Sequence, residues 1–286
     1  MTHTYATVAE ANDYITSGGS TKFASESAAI VALKLSILEA VSRRIDYVCH
    51  RSAFGSGFGP RLGTNSYDGD GFNELLLRDD LLTLTTLGVA TTTGGTPVNP
   101  AVTTDYFLAT ADGYTGPPHR KVILHGNGSP VYFGTGYKTT SVLGVWGYSD
   151  VTLPTGTTCA SGLSTGTTAT SFTTSATPLI YPGMTLLIGS EQLYLYAISG
   201  TTATVVRGVN GTTAATHVDG SAITRYSYDQ RVHDVTLRLF LRRWKSRDAG
   251  ADGTSGGLDI PPQQTTEGED TIIRRGLSDL LMLGTY

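Results

Sequence analysis

Apolar residues keep three- and four-residue steps in four stretches of this chain and alternate with polar ones through much of the rest. The strongest helical stretch spans residues 25–50. Ile30, Leu33, Ile37, Val41, Ile45 and Val48 hold the helical period there, and Val31, Leu35 and Leu38 widen the stripe. Ser25 or Ser27 can cap this helix, which runs out near His50. Such an apolar helix needs cover on more than one side, from its own chain or from a neighbouring subunit. Ahead of it, Thr7-Val-Ala-Glu10 is a capping box and predicts a short helix over 7–17, closed by Gly18-Gly19. Helical period returns at 229–247, where Val232, Val235, Leu239 and Trp244 mark one face. A last amphipathic helix within 269–286 opens on a second capping box, Thr266-Glu-Gly-Glu269, and carries Ile272, Ile273, Leu277, Leu280 and Leu281. A helix this short is marginal alone, so its apolar face needs a partner surface in cis or in trans.

The alternating segments predict strands. Between 58 and 154, "NELLLRDDLLTLTTLGVA" reads as two short strands around a turn-like Arg78-Asp79-Asp80. "DYFLA", "RKVILHG" and "TTSVLGVWGY" read as one strand each, together a small antiparallel sheet. Leu153-Pro154 then looks like the punctuation before a helix, yet no helical pattern returns before Asp229. What fills 155–228 is rich in Thr and low in charge. Met184, Leu186 and Ile188 alternate with other residues, Leu193 and Leu195 alternate with Tyr194 and Tyr196, and Ser199-Gly200 and Asn210-Gly211 are turn signals. We expect an inserted all-β module, a small sandwich or barrel, and an α+β chain. Residues 248–268, rich in Gly, Pro and Gln, read as a flexible linker. The expected division is N-terminal helices over 1–57, the antiparallel region over 58–154, the module over 155–228, a helix over 229–247, the linker, and a C-terminal docking helix over 269–286.

Composition sharpens this picture in one respect. Charged residues make up only 15% of the 286 positions and the formal net charge is −4, which argues against affinity for a nucleic-acid backbone. The basic run Arg238, Arg242, Arg243, Lys245 and Arg247 reads as a solvated helix face, or as a contact in which Arg242 and Arg243 meet a neighbour's carboxylates; phosphate binding ranks behind both. The N-terminus has no basic-then-apolar leader pattern and no apolar run approaches a membrane span, so we expect neither secretion by the usual route nor a membrane partner. Two cysteines, Cys49 and Cys159, are too few for a disulfide framework or a zinc site.

Catalytic patterns fail on context. Gly253-Thr-Ser255-Gly-Gly257 fits the nucleophile-elbow spacing but lies inside the linker, with no strand before it. Asp68-Gly-Asp70-Gly71 lacks the third ligand and the closing Glu of a calcium loop, and reads as a turn. His233 and Asp234 point about 100° apart on a helix and cannot orient each other as base and partner. No catalytic residue, cofactor or metal is expected.

The order of pieces resembles the head–tail connector (adaptor) proteins of tailed bacteriophages. The apolar N-terminal helix, "SYDGDGFNELLLRDDLLTLTTLGV", "DYFLA", a strand ending in Trp146-Gly147-Tyr148, Pro154, and the Arg-rich helix Asp229–Arg247 carry that resemblance. In such proteins the Pro is followed shortly by the helix, so 155–228 looks like an insertion. "GSEQLYLYAISGTTATVVRGVNGTTAATHVDGSAI" is itself similar to small β modules of phage structural proteins. The resemblance implies a helical connector core and a homo-oligomeric ring, typically dodecameric, at the head–tail neck of the virion. Its partners would be the portal and stopper or tail proteins, with DNA crossing the lumen. A ring needs two different patches on each copy. Ile30, Leu33, Ile37, Val41, Arg242 and Arg243 are the expected subunit contact. Ile272, Ile273, Leu277, Leu280 and Leu281 are the expected portal-docking anchors, unless they pack on their own subunit. The inserted module would then project towards tail, capsid or decoration proteins. The rival reading is a glycan- or receptor-binding β-module protein of the tail or neck, which exposed aromatics on a β surface would support.

Overall fold

A computed structural model describes residues 3–16, 26–51, 57–100, 104–110, 116–164, 166–176, 179–250 (backbone alone for 248–250) and 268–281. The linker expected at 248–268 falls outside these residues from 251 to 267, as does Gly253–Gly257. The chain is α+β and mostly β. It forms two compact units, one from Met1–His50 with Val151–Gly284 and one from Arg51–Asp150, so the second is spliced into the first.

The first unit joins four helices to a barrel. Helix α1 (Val8–Thr16) begins as the capping box requires: Glu10 N–H donates to Thr7 Oγ1 at 3.2 Å, while Thr7 N–H donates back to Glu10 Oε2 at 2.7 Å. Helix α2 (Ala28–Val48) is capped by Ser27, whose hydroxyl accepts from Ile30 N–H. Helix α3 is Gln230–Gly250 and helix α4 is Glu269–Gly276, followed by a 3₁₀ turn at Ser278–Leu280. The cap of α4 is Gly268, and Thr266, with which the second capping box opens, lies outside the described residues. No helix among the described residues is long and apolar enough to cross a membrane.

Six strands follow Tyr148 instead of the helix that Leu153-Pro154 announces. They are numbered here after the five of the other unit: β6 (Thr152–Ser161), β7 (Ser171–Thr174), β8 (Thr185–Ile188), β9 (Glu191–Ser199), β10 (Thr202–Val206) and β11 (Ala222–Tyr226). They close as β10-β7-β6-β11-β8-β9, an all-antiparallel barrel, which decides between sandwich and barrel. Pro154 lies inside β6, opposite Thr224. Cys159, Phe172, Leu186, Ile188, Leu193, Leu195, Val205 and Ile223 fill the interior.

The barrel does not project free of the helices. Tyr194 and Val209 share one core with Leu35, Leu38, Leu237 and Phe240, and Tyr194 Oη donates to Glu39 at 2.8 Å. The N-terminal segment seals the join. Thr4 Oγ1 donates to Gly183 O at 2.6 Å, Val8 N–H to Pro182 O at 3.0 Å, and Tyr5 Oη hydrogen-bonds Asp46 of α2.

The second unit is a five-stranded antiparallel sheet of β1 (Arg61–Gly69), β2 (Glu74–Val89), β3 (Tyr106–Ala109), β4 (His119–Leu124) and β5 (Gly136–Trp146), in the order β1-β5-β2-β4-β3. Arg78-Asp79-Asp80 is no turn: β2 runs through it as one strand of 16 residues, its register shifted at three places. The trio stays in the strand because Asp80 forms a buried ion pair with Arg51, and the Arg51 guanidinium lies 4.5 Å from the Phe58 ring centre and 5.1 Å from that of Tyr148. Trp146 is fully buried and donates to Gly63 O at 2.9 Å. Gly147 has φ 148° and backs onto the Gly59 carbonyl, where a Cβ would lie only 2.5 Å away. Trp-Gly-Tyr is therefore a core anchor, a backbone crossing and a lid on Arg51.

Candidate interaction surfaces

Helix α2 sorts its apolar residues onto two faces. Leu35, Leu38, Val41, Ile45 and Val48 are buried within the first unit. Ile30 and Leu33 remain 40% and 38% exposed, Ile37 is half-buried, and Tyr47 is 62% exposed further along the same row. Val41 belongs to the inner row with Leu38 and Ile45 and is wholly buried, which removes it from the expected subunit contact. On another face of α2, Val31 and Ala32 line a groove of ≈ 860 Å³ together with Val8, Tyr181, Tyr196 and Ile198, and none of Ile30, Leu33 and Ile37 lines it. Single exposed apolar side chains are ordinary on a protein surface, whereas a row of them along one helix marks a contact site. Below the groove, Lys34 is buried yet fully engaged. Its Nζ donates to Asn12 Oδ1 at 2.6 Å, pairs with Glu26 and lies 5.0 Å from the Trp244 ring centre.

The C-terminal helix is docked on its own chain. Ile273, Leu277 and Leu280 are buried, and α4 packs on α2 and α3. These three expected portal anchors are therefore covered in cis; Ile272 and Leu281 are half-buried. Two bidentate ion pairs fix the helix. Arg44 grips Asp270 at 2.6–2.9 Å, and Arg243 grips Glu269 at 2.7 and 2.8 Å. The hydrogen bonds from Arg243 hold the Glu269 carboxyl below its ordinary range. Arg243, expected to meet a neighbour's carboxylate, thus meets one in its own subunit. Arg242, one residue earlier, is half-buried.

Two polar clusters lie nearby. A cleft of ≈ 250 Å³ is lined by Tyr5, Glu10, Arg225, Tyr226, Tyr228 and His233. Burial pushes the Glu10 carboxyl up, but His233, whose Nε2 lies 3.4 Å away, and hydrogen bonds from the N–H and hydroxyl of Thr7 outweigh it and bring it to about 2. Asp234 turns away to Arg238 at 2.9 Å, as its position beside His233 on one helix requires. Inside the barrel, the Glu191 carboxylate is fully buried. It accepts from Arg207 Nε and Nη2 at 2.9 and 2.6 Å and from the amides of Gly208 and Ala215 at 3.1 and 3.0 Å, and it lies 2.7 Å from His217 Nε2. This network pins the 207–217 loop and leaves no acceptor oxygen open to a substrate.

Reasoning from sequence missed the groove, because Tyr181 and Tyr196 meet α1 and α2 only in three dimensions. It also missed three exposed aromatics of the second unit, Phe72, Tyr132 and Tyr137. Glycines beside or near each ring were the available signal. No family model, curated protein or solved structure matches this chain.

Proposed function

We propose that the chain is a structural subunit, an adaptor at the head–tail neck of a tailed phage. Copies would stand side by side in a ring under the portal, complete the DNA-filled head and offer a surface for tail attachment. The observation that carries this reading is the open apolar row of α2, Ile30 and Leu33 with Ile37 behind them. Burying such a row against a different patch of the next copy is the heterologous contact that closes a ring. The order of sequence pieces supports the same assignment, with the helices as the ring's core. The acidic balance suits a lumen that lets DNA pass.

The reading works through shape and contact area and needs no turnover. It places the portal contact on surfaces other than the α4 face, because Ile273, Leu277 and Leu280 are already spent within the subunit. The test is to mix the purified chain with a portal ring from the same source and image the mixture by negative stain. Rings stacked coaxially on the portal are expected. Portals that stay bare at tenfold molar excess of the chain, about 10 µM, would reject the assignment.

A further inference from the structure

The second unit ends in two loops that lock together backbone to backbone. Residues 68–73, Asp-Gly-Asp-Gly-Phe-Asn, join β1 to β2, and residues 132–138, Tyr-Phe-Gly-Thr-Gly-Tyr-Lys, lead into β5. Phe133 N–H donates to Phe72 O at 2.9 Å and Lys138 N–H to Asp68 Oδ1 at 2.8 Å. At Gly69 a Cβ would sit 1.8 Å from Gly134 O, so only glycine permits this approach. The loops hold three large rings in water: Phe72 is 68% exposed, Tyr132 61% and Tyr137 62%. Leaving all three in water forgoes the stabilisation their burial would give, so the tip looks made for something other than stability.

Its chemistry is narrow. Neither loop contains Leu, Ile or Val. Each aspartate uses one oxygen to fix the loop, Asp68 on Lys138 N–H and Asp70 on Phe72 N–H at 2.9 Å, and both are exposed. Contact cores between proteins are depleted in aspartate and draw on arginine beside aromatic anchors, and neither loop contains arginine. A pyranose ring has the opposite needs. Its axial C–H groups form an apolar face that stacks on aromatic rings, and its hydroxyl rim donates to carboxylate oxygens. Rings already held by interlocked loops lose little freedom on binding.

We propose that this tip is a saccharide-binding site, with Phe72, Tyr132 and Tyr137 as stacking platforms and the outer oxygens of Asp68 and Asp70 as hydroxyl acceptors. Sugars with all-equatorial substituents and β-1,4 links fit best, because their faces are the most uniformly C–H. The site belongs to a different compact unit from the α2 row and shares no residue with it, so the two proposals stand or fall independently.

The test is to titrate the full chain with chitohexaose and, separately, cellohexaose, following binding by thermophoresis and ring-proton contacts by saturation-transfer NMR. Saturable binding of at least one sugar is expected, with transfer to its ring C–H protons. Tyr132→Ala and Tyr137→Ala each weaken it by about tenfold or more without lowering Tm, since both side chains are already in water. Asp70→Asn, which keeps the loop acceptor, weakens it less. No saturable binding of either sugar up to about 10 mM, or binding unchanged in the double tyrosine variant, would overturn the proposal. A double variant that binds no sugar less well yet loses a neighbouring virion protein would overturn it too, and would make the tip a protein contact.

Discussion

At the scale of single residues, the most informative groups are two carboxylates held by several hydrogen-bond donors at once. Glu10 titrates near 2 in the folded chain, below its ordinary 4.5. Its contribution to stability is therefore whole above pH 4.5 and is lost as pH falls from there through 2. The side chain is about one-third exposed, so solvent screening limits the worth of the interaction to roughly 1 kcal/mol. Glu10→Gln should flatten the acid limb of a stability-against-pH curve by that amount and leave stability above pH 6 lower by a similar margin, as urea unfolding would measure. Glu191 is the stronger case. Burial opposes its ionised form, but Arg207, the Ala215 amide and His217 hold its carboxyl below the ordinary range. Glu191→Gln leaves the buried Arg207 without a counter-charge and should cost about 3–5 kcal/mol, with circular dichroism showing an early loss of the barrel. A cost under about 1 kcal/mol would mean that the network does not pin the 207–217 loop.

At the scale of elements, α4 gives the sharpest test. Leu277→Ala should destabilise the chain by about 2–4 kcal/mol, because its side chain is buried on α4's own subunit. Ile272→Ala, half-buried, should cost under about 1 kcal/mol. Equal and small costs for both would mean that the helix is free in solution. Elements whose signal is local were legible in the sequence. The Thr7–Glu10 box set α1, the apolar period set α2 and α3, and alternation with turn residues set an all-β module, whose closure into a barrel only the structure shows. Elements that depend on distant partners were not. β1 has Gly63, Thr64, Asn65 and Ser66 at its centre and forms a strand through its ladder to β5 and the hydrogen bond from Trp146. β2 looked broken at Arg78-Asp79-Asp80 because nothing near it shows that Arg51 will neutralise Asp80. Likewise the period of α2 showed a surplus of apolar residues but not which row the chain covers itself, and Val41 fell on the covered side.

At the scale of the whole molecule, the account turns on one surface. Helices α1, α2 and α3 share a core with the barrel, the sheet unit has its own, and what this arrangement leaves open is the Ile30–Leu33 row. Replacing both residues by aspartate should leave the fold intact, since neither side chain is buried, while placing charge where a neighbouring copy must pack. The decisive measurement is native mass spectrometry of the wild-type chain and of the Ile30→Asp/Leu33→Asp variant, each alone and with portal rings. The account predicts closed multi-copy rings for the wild type, at least in the portal's presence, and a folded single subunit for the variant under both conditions. A wild-type chain that stays a single subunit with and without portal, or a variant that assembles as well as the wild type, would contradict it.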